Sequence, residues 1–390
     1  MNFISKILSL IFIYILSYSE LYGQNLVPNG SFELKNFCPT AASQIDACKN
    51  WYNPSNNGDG SPDYYHACGV KECSVPKNNN GFQIARTGSA YAGIYGFHHT
   101  VVFEYIQIKL SDSLVKGNSY CISFYSNLVD SSSLACNGLG AYVSASKIIQ
   151  NSWDQIKVIP QIISNNIMSD TSRWELISGS FVAAGGEKYI TIGNFAPKSQ
   201  VIKIRQVPLW DSVAYYNIDD VSLTSVSAGR DTTIIKGASV TLQASNEKSY
   251  LWSPSLDLNC NTCQNPITRP MEKTTYYLTV KDDNGCLAKD SITIFVKCNE
   301  YLYIPTSFSP NGDGINDTLY VRGSEGCMTN LVFKIYDRWG ENIFKTSNIL
   351  EGWDGSFNSK KLNTNIFVWT LTGSIEKEAV TKKGTFSLIR

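Results

Sequence analysis

The chain has 390 residues, enough for two to four domains at roughly 100–200 residues each. Lysine plus arginine and aspartate plus glutamate balance at 33 each, so no overall charge draws the chain to nucleic acid or to anionic lipid. Charged residues reach only 17% against 22 tyrosines, and such a mixture with Thr, Ser, Asn and Gly suits β-sandwiches that face an extracellular medium.

Residues 1–23 have the form of a secretory signal: Lys6 as the basic start, Ile7–Leu16 as the apolar stretch, Ser19–Gly23 as the polar end. The apolar run is shorter than the ~20 residues a membrane span needs. Cleavage after Gly23 leaves Gln24 first, with no cysteine there to carry a lipid. Eleven cysteines behind such a signal imply disulfides formed in an oxidising compartment. Pairing by proximity would join Cys38 to Cys48, Cys68 to Cys73 and Cys121 to Cys136, one of many connectivities that six cysteines allow. An odd total leaves a thiol over.

Residues 24–225 read as a first domain. Period-two segments Glu104–Leu110, Tyr120–Leu128, Gly140–Ser144 and Lys188–Gly193 alternate as strands, and no segment forms a convincing amphipathic helix. The opening phrase Asn25-Leu26-Val27-Pro28-Asn29-Gly30-Ser31-Phe32-Glu33 and the closing phrase Tyr216-Asn217-Ile218-Asp219-Asp220-Val221-Ser222-Leu223 resemble those of carbohydrate-binding-module-like jelly rolls. The resemblance implies that the first and last strands lie together, with Phe32 in the core and Glu33 near Asp219 and Asp220. It also implies a structural calcium there, since carboxylates with backbone carbonyls suit a hard cation.

On Tyr120–Leu128, Tyr120, Ile122, Phe124 and Leu128 fit a core face, leaving Tyr125 and Asn127 on the other; on Gly140–Ser144 the second face holds Tyr142 and Ser144. If both second faces share one concave sheet, Tyr125 and Tyr142 offer rings to a sugar's C–H face and Asn127 and Ser144 bond its hydroxyls. The plain alternative is an ordinary half-exposed sheet. Trp51 just before the loop-rich stretch 53–81 and Tyr65 within it serve either as contact residues or as that stretch's own small core.

Residues 226–297 read as a second domain of short strands that resembles PKD-like or immunoglobulin-like spacers, with Trp252 as core tryptophan and Tyr276 or Tyr277 as a corner tyrosine. Cys260-Asn261-Thr262-Cys263 has C-x-x-C spacing, but no second ligand pair for zinc lies nearby, so a local disulfide is expected. Related modules pair the cysteine after Asn284-Gly285 with one in the first strand. Here that place holds Ile235, which marks Cys286 as the free thiol; Cys298 and Cys327 then tie the exit of this domain to the tail.

The last segment, 298–390, carries three signals. Pro310-Asn311-Gly312-Asp313-Gly314 with Asn316 and Asp317 comes first, Arg338-Trp339-Gly340 second, Gly352-Trp353-Asp354-Gly355 third, and the chain ends on Arg390. Together they resemble the gliding motility-associated C-terminal domain of Bacteroidetes proteins. That resemblance implies a small antiparallel β domain acting as a sorting tail for the type IX secretion system, its translocon and a companion outer-membrane barrel protein as partners. Asn311, Asp313 and Asp317 place oxygens around two glycines, which fits either a calcium loop or a turn held by Asx hydrogen bonds.

The three histidines, His66, His98 and His99, sit in no metalloprotease motif, and neither a nucleophile elbow nor a phosphate loop occurs. Adjacent His98 and His99 would face opposite ways in a strand. The expectation is an all-β, non-enzymatic, secreted cell-surface binding protein: a jelly-roll sandwich for a glycan or surface polymer, an immunoglobulin-like sandwich and a small β tail. Its rivals are an envelope or gliding component that binds protein and a small glycan hydrolase or esterase. A carboxylate pair for hydrolysis is invisible in sequence.

Overall fold

The computed structural model describes residues 25–56, 60–99, 102–152, 154–206, 212–299, 301–324 and 326–390. The secretory segment 1–23 therefore lies outside the described residues. Among those described, no helix is long and apolar enough to cross a membrane, and helical structure is limited to two three-residue 3-10 turns. The fold is all-β.

Contacts divide the chain into two units, one holding Met1–Gly229, Leu242–Pro266 and Tyr276–Ser291, the other Arg230–Thr241, Ile267–Thr275 and Ile292–Arg390. The division runs through the stretch 226–297. Within the first unit Ser249–Ser253 pairs antiparallel with the later part of Thr274–Lys281, Trp252 opposite Leu278. Within the second, Thr232–Ile235 runs parallel to the end of Leu287–Lys297.

Ten strands build the main sandwich of the first unit: β1 (Trp51–Tyr52), β2 (Asp63–His66), β3 (Ala90–His98), β4 (Tyr105–Lys109), β5 (Ser119–Leu128), β6 (Leu139–Ser144), β7 (Ile162–Ile163), β8 (Glu175–Val182), β9 (Tyr189–Asn194) and β10 (Val213–Val226). They form two sheets, β1–β4–β9–β6–β7 and β8–β5–β10–β3–β2. Alternation decides which side chains meet between them: Ile106 and Ile108, Ile190 and Ile192, Ala141 and Val143 from one sheet, Ile122, Phe124, Ile94 and Ile218 from the other. Trp252 is also buried, and its indole N–H donates to the Cys263 carbonyl at 3.0 Å.

The two phrases at the ends of the first domain zip together. Leu26 N–H donates to Leu223 O at 2.8 Å, Val221 N–H to Gly30 O at 2.9 Å, and the Asn25 amide bridges Val221 and Leu223. Gly30 is required by that approach, since a Cβ there would lie 2.0 Å from the Val221 oxygen. Phe32 is fully buried, as its place in the phrase implies, with a positive φ of 61°.

In the second unit, β11 (Ser307–Phe308), β12 (Met328–Tyr336), β13 (Asn342–Thr346), β14 (Asn365–Ile375) and β15 (Glu378–Leu388) form one sheet in the order β11–β15–β14–β12–β13. β11 joins β15 in parallel; the other neighbours are antiparallel. Its inner face packs Phe333, Phe367, Leu371, Phe386 and Leu388 around Trp353.

Candidate ligand cleft and export tail

The expectation of one aromatic face bearing both Tyr125 and Tyr142 is corrected: Tyr125 is on β5 and Tyr142 on β6, in opposite sheets. Both alternate away from the core, and therefore face opposite sides of the sandwich. Asn127 is buried, its amide donating to Gln83 Oε1 at 2.6 Å and its oxygen accepting from Asn217 at 3.1 Å. Ser144 is buried and donates to the Ser146 carbonyl at 2.8 Å. Trp51 is core, 2% exposed and stacked on Phe32 at 4.8 Å. Tyr65 is buried with Tyr91 and Tyr215, and both Tyr65 and Tyr215 donate to the carboxylate of Asp63. None of these four is an open contact residue.

Around Tyr142 the structure forms a cross-strand row. Tyr52 of β1 lies opposite Gln107 of β4, Gln107 opposite Thr191 of β9, and Thr191 opposite Tyr142 of β6. Tyr52 O–H donates to Gln107 Oε1 at 2.8 Å, and the Gln107 amide donates to Thr191 Oγ1 at 2.5 Å. Gln107 and Thr191 are wholly buried, so the polar middle of the row is closed and satisfied within itself.

Tyr125 instead lines an open cleft of about 530 Å³ with Asn25, Glu33, Arg86, Asp220 and Asn284. The Arg86 guanidinium lies 3.4 Å above the centre of the Tyr125 ring, a cation–π stack, and pairs with Asp220 at 2.5 Å. The Tyr125 hydroxyl donates to Asn284 Oδ1 at 3.2 Å, and the Asn284 amide donates to Ser123 Oγ at 3.0 Å. Thus two groups of residues expected to serve different purposes, a sugar-binding ring and a metal-binding edge, meet in one place.

The carboxylates there are engaged by the turn at residues 86–89. Asp220 also accepts from Thr87 Oγ1 at 2.6 Å, Asp219 accepts the Arg86 backbone N–H at 2.9 Å, and Glu33 accepts from Ser89 N and Oγ at 2.8 and 2.9 Å. Burial, then the charge of Asp220, pushes the Asp219 carboxyl up to about 8. As placed, these residues hold Arg86 as their cation. In the tail loop, Asp317 accepts the N–H groups of Gly312 and Gly314, Asp313 that of Ile315, and Asn311 that of Asp313. Asn311 and Asp313 thus make Asx turns, and the Asp317 carboxylate reaches back to close the loop.

Three proximity pairings of cysteines are corrected. Cys38 bonds Cys68, and Cys121 bonds Cys286 across 165 positions, so Cys286 is not the free thiol. Cys121 lies on the outer face of β5, whereas Cys136 packs in the core with Tyr216, so the two cannot meet. Cys48, Cys73 and Cys136 are buried thiols, and burial pushes the last two up to about 11, which keeps them protonated. Cys260–Cys263 and Cys298–Cys327 are disulfides. His98 and His99 also differ from expectation: β3 ends at His98, and the two rings lie 4.4 Å apart.

The tail signals sort into different roles. Trp353 is buried against Phe308, Phe367 and Phe386, its indole donating to Ser356 O at 2.8 Å. Asp354 accepts from Ser356 N and Oγ, and these bonds hold its carboxyl below the usual range. Arg390 donates to Leu362 O at 2.6 Å, Gly355 O at 3.3 Å and Pro310 O at 3.4 Å, tying the chain end to the first and third signals. Trp339 is different: it is 81% exposed, with Arg338 5.3 Å over its ring.

Residues 302–388 match the family described as the CHU_C Type IX secretion signal domain. The protein thus carries a type IX secretion signal, which the secretion machinery engages, and it is exported to the cell surface or beyond. No curated protein matches the chain. Among solved structures, the CBM22-1 xylan-binding domain of Paenibacillus barcinonensis Xyn10C is 15% identical, covering 53% of this chain and 98% of that one, with a TM-score of 0.31. The CBM22-1–CBM22-2 tandem of the same protein is 10% identical, covering 95% and 86%, with a TM-score of 0.33. The K2 adhesin domain of Lys-gingipain is 11% identical, covering 50% and 96%, with a TM-score of 0.27. Likeness at that level assigns no ligand.

Proposed function

We propose that this is a non-enzymatic surface binding protein that takes a glycan or surface polymer in the Arg86–Tyr125 cleft. In this reading 24–225 recognises the ligand with Asn284 of 226–297 completing the cleft, the rest of 226–297 is a spacer module, and 298–390 is the sorting tail, received by a companion outer-membrane barrel protein. The observation that carries the ligand reading is the stacked Arg86–Tyr125 plane, flanked by Glu33, Asp220 and Asn284 in one open cleft. Such a plane offers apolar contact to a sugar ring, and the paired carboxylate, guanidinium and amide offer acceptors and donors to vicinal hydroxyls.

A glycan and polysaccharide panel probed with the mature chain tests it. Tyr125→Ala should weaken binding to the selected ligand by roughly 1–3 kcal/mol, by analogy with base stacking on aromatic side chains. Tyr125→Phe keeps the ring and loses only the bond to Asn284, so most of the affinity should remain. Equal affinity for Tyr125→Ala and the parent would overturn the reading. Turnover of any panel member would overturn its non-enzymatic part.

A further inference from the structure

The outer face of the tail sheet carries a second cross-strand row. Lys345 of β13 lies opposite Lys334 of β12, Lys334 opposite Thr370 of β14, and Thr370 opposite Lys383 of β15. Direct partners share a face, and the neighbours Phe333 and Ile335 are buried on the inner side, so the three lysines point outward. At the spacing of neighbouring strands the row spans roughly 14 Å. Lys345 and Lys334 are like charges directly opposite one another, an arrangement that destabilises a sheet. Among the described residues no ion pair includes any of the three lysines. The flanking rows on that face, Tyr336–Val368–Thr385 and Val332–Thr372–Thr381, hold no carboxylate. Beside the lysines, Ile366 and Val368 stand 60% and 42% exposed.

We propose that this face is the surface by which the tail docks on an acidic protein surface of the export machinery. The proposal rests on the tail's identity as a type IX secretion signal and adds the residues that are read. Charge complementarity selects the occupant: a partner that supplies carboxylates opposite the row relieves the repulsion the isolated tail carries. Val368 and Ile366 give the contact a partly apolar centre beside a charged rim, the usual make-up of a protein–protein contact. Lysines on flexible stems suit long-range steering toward such a surface, which raises the rate of encounter.

The test uses the full chain in a cell competent for type IX export, with secreted and periplasmic fractions measured, and melting curves on purified protein. Lys334→Glu with Lys345→Glu and Lys383→Glu should lower export roughly tenfold, with the melting temperature little changed because the like-charge repulsion along the row remains. Arginine at the same three positions should keep export. Lys360→Glu with Lys361→Glu, on the exposed Ser356–Phe357/Lys360–Lys361 hairpin of the same unit, should leave it intact. Export unchanged by the triple reversal would overturn the proposal, as would an equal fall with the hairpin control. Loss of binding to anionic phospholipid vesicles without loss of export would assign the row to a membrane instead. A chain lacking residues 298–390 separates the two levels: if it too is exported, the tail is not the signal at all.

Discussion

Two four-strand rows, one in each unit, have the same geometry and opposite chemistry. Tyr52–Gln107–Thr191–Tyr142 crosses the first unit's sheet, and its first three members bond one another. Lys345–Lys334–Thr370–Lys383 crosses the tail sheet and leaves three like charges with no ion-pair partner among the described residues. A row closed on itself holds architecture, because its polar groups have exchanged water for one another at little net cost. An unpartnered row costs stability in the isolated chain, and its persistence points outward. Position on an outer face therefore does not separate these two rows; whether their groups are already satisfied does.

The largest effects separate tryptophans by the same criterion. Trp51 stacks on Phe32 and donates to Asn29 O at 2.7 Å, so Trp51→Ala should cost about 3–5 kcal/mol through the cavity and the orphaned carbonyl. Trp339→Ala, at an exposed turn, should change stability by no more than about 0.5 kcal/mol. Chemical denaturation of both variants checks the contrast. A large loss for Trp339 would show that it packs against something in the folded protein.

A pH profile comes next. Burial pushes Glu104 up to about 7, against the lowering effect of its bonds from Tyr95 N and Ser61, and Asp219 stands at about 8. Both carboxyls bind protons more tightly folded than unfolded. Their contribution is fully present below the ordinary carboxylate range and is lost as pH rises through about 7 and 8. Stability of the first unit should therefore fall from about pH 5 to pH 8, by on the order of 3 kcal/mol for Glu104. Glu104→Gln should flatten that slope; a slope of unchanged size in the variant would remove Glu104 as its source.

Much of the fold was legible because alternation is local. Tyr120, Ile122, Phe124 and Leu128 are buried as their period of two implies, and the two end phrases announce their own pairing. The site was not, because its parts are joined only by long-range register. Which sheet β6 enters is set by pairing with β9, some fifty residues later. Cys121 meets a partner 165 positions away, which no rule of proximity reaches. Tyr65 and Asn127 disappeared from the surface because packing around Tyr91, Tyr215 and Gln83 closes over that face, a tertiary event without a local signature. One local signal does mark the first row: Tyr52 and Gln107 alternate out of phase with buried Trp51 and Ile106, which places them on the face away from the core.

The two rows can be compared directly by single substitutions. Gln107→Leu leaves the Tyr52 hydroxyl without its acceptor and Thr191 without its donor, and should cost about 1–3 kcal/mol. Lys334→Gln removes a repulsion and should be neutral or stabilising by about 0.2–1 kcal/mol. If both variants melt below the parent, the lysine row is held by partners after all and the contrast fails.

The smallest effect concerns calcium, which we propose binds the edge formed by Glu33, Asp219 and Asp220 only in competition with Arg86. The guanidinium already pairs with Asp220, and Thr87 and Ser89 occupy further carboxylate oxygens. A divalent ion must displace that cation, so near its dissociation constant it should add only about 0.4 kcal/mol to the parent chain. Arg86→Met removes the competitor and leaves the carboxylates with excess negative charge, so the same calcium concentration should raise the melting temperature more in the variant than in the parent. The loop at Asn311–Asp317 provides an internal comparison, since backbone N–H groups of Gly312 and Gly314 donate to Asp317, and among the described residues no arginine forms an ion pair with its carboxylates. Melting curves on EDTA-treated protein, with calcium and then with magnesium, decide the matter. A calcium-dependent rise that is larger in Arg86→Met places the ion at the cleft. A rise equal in both proteins and abolished by Asp317→Ala places it in the tail, and no rise in either protein ends the proposal for both sites.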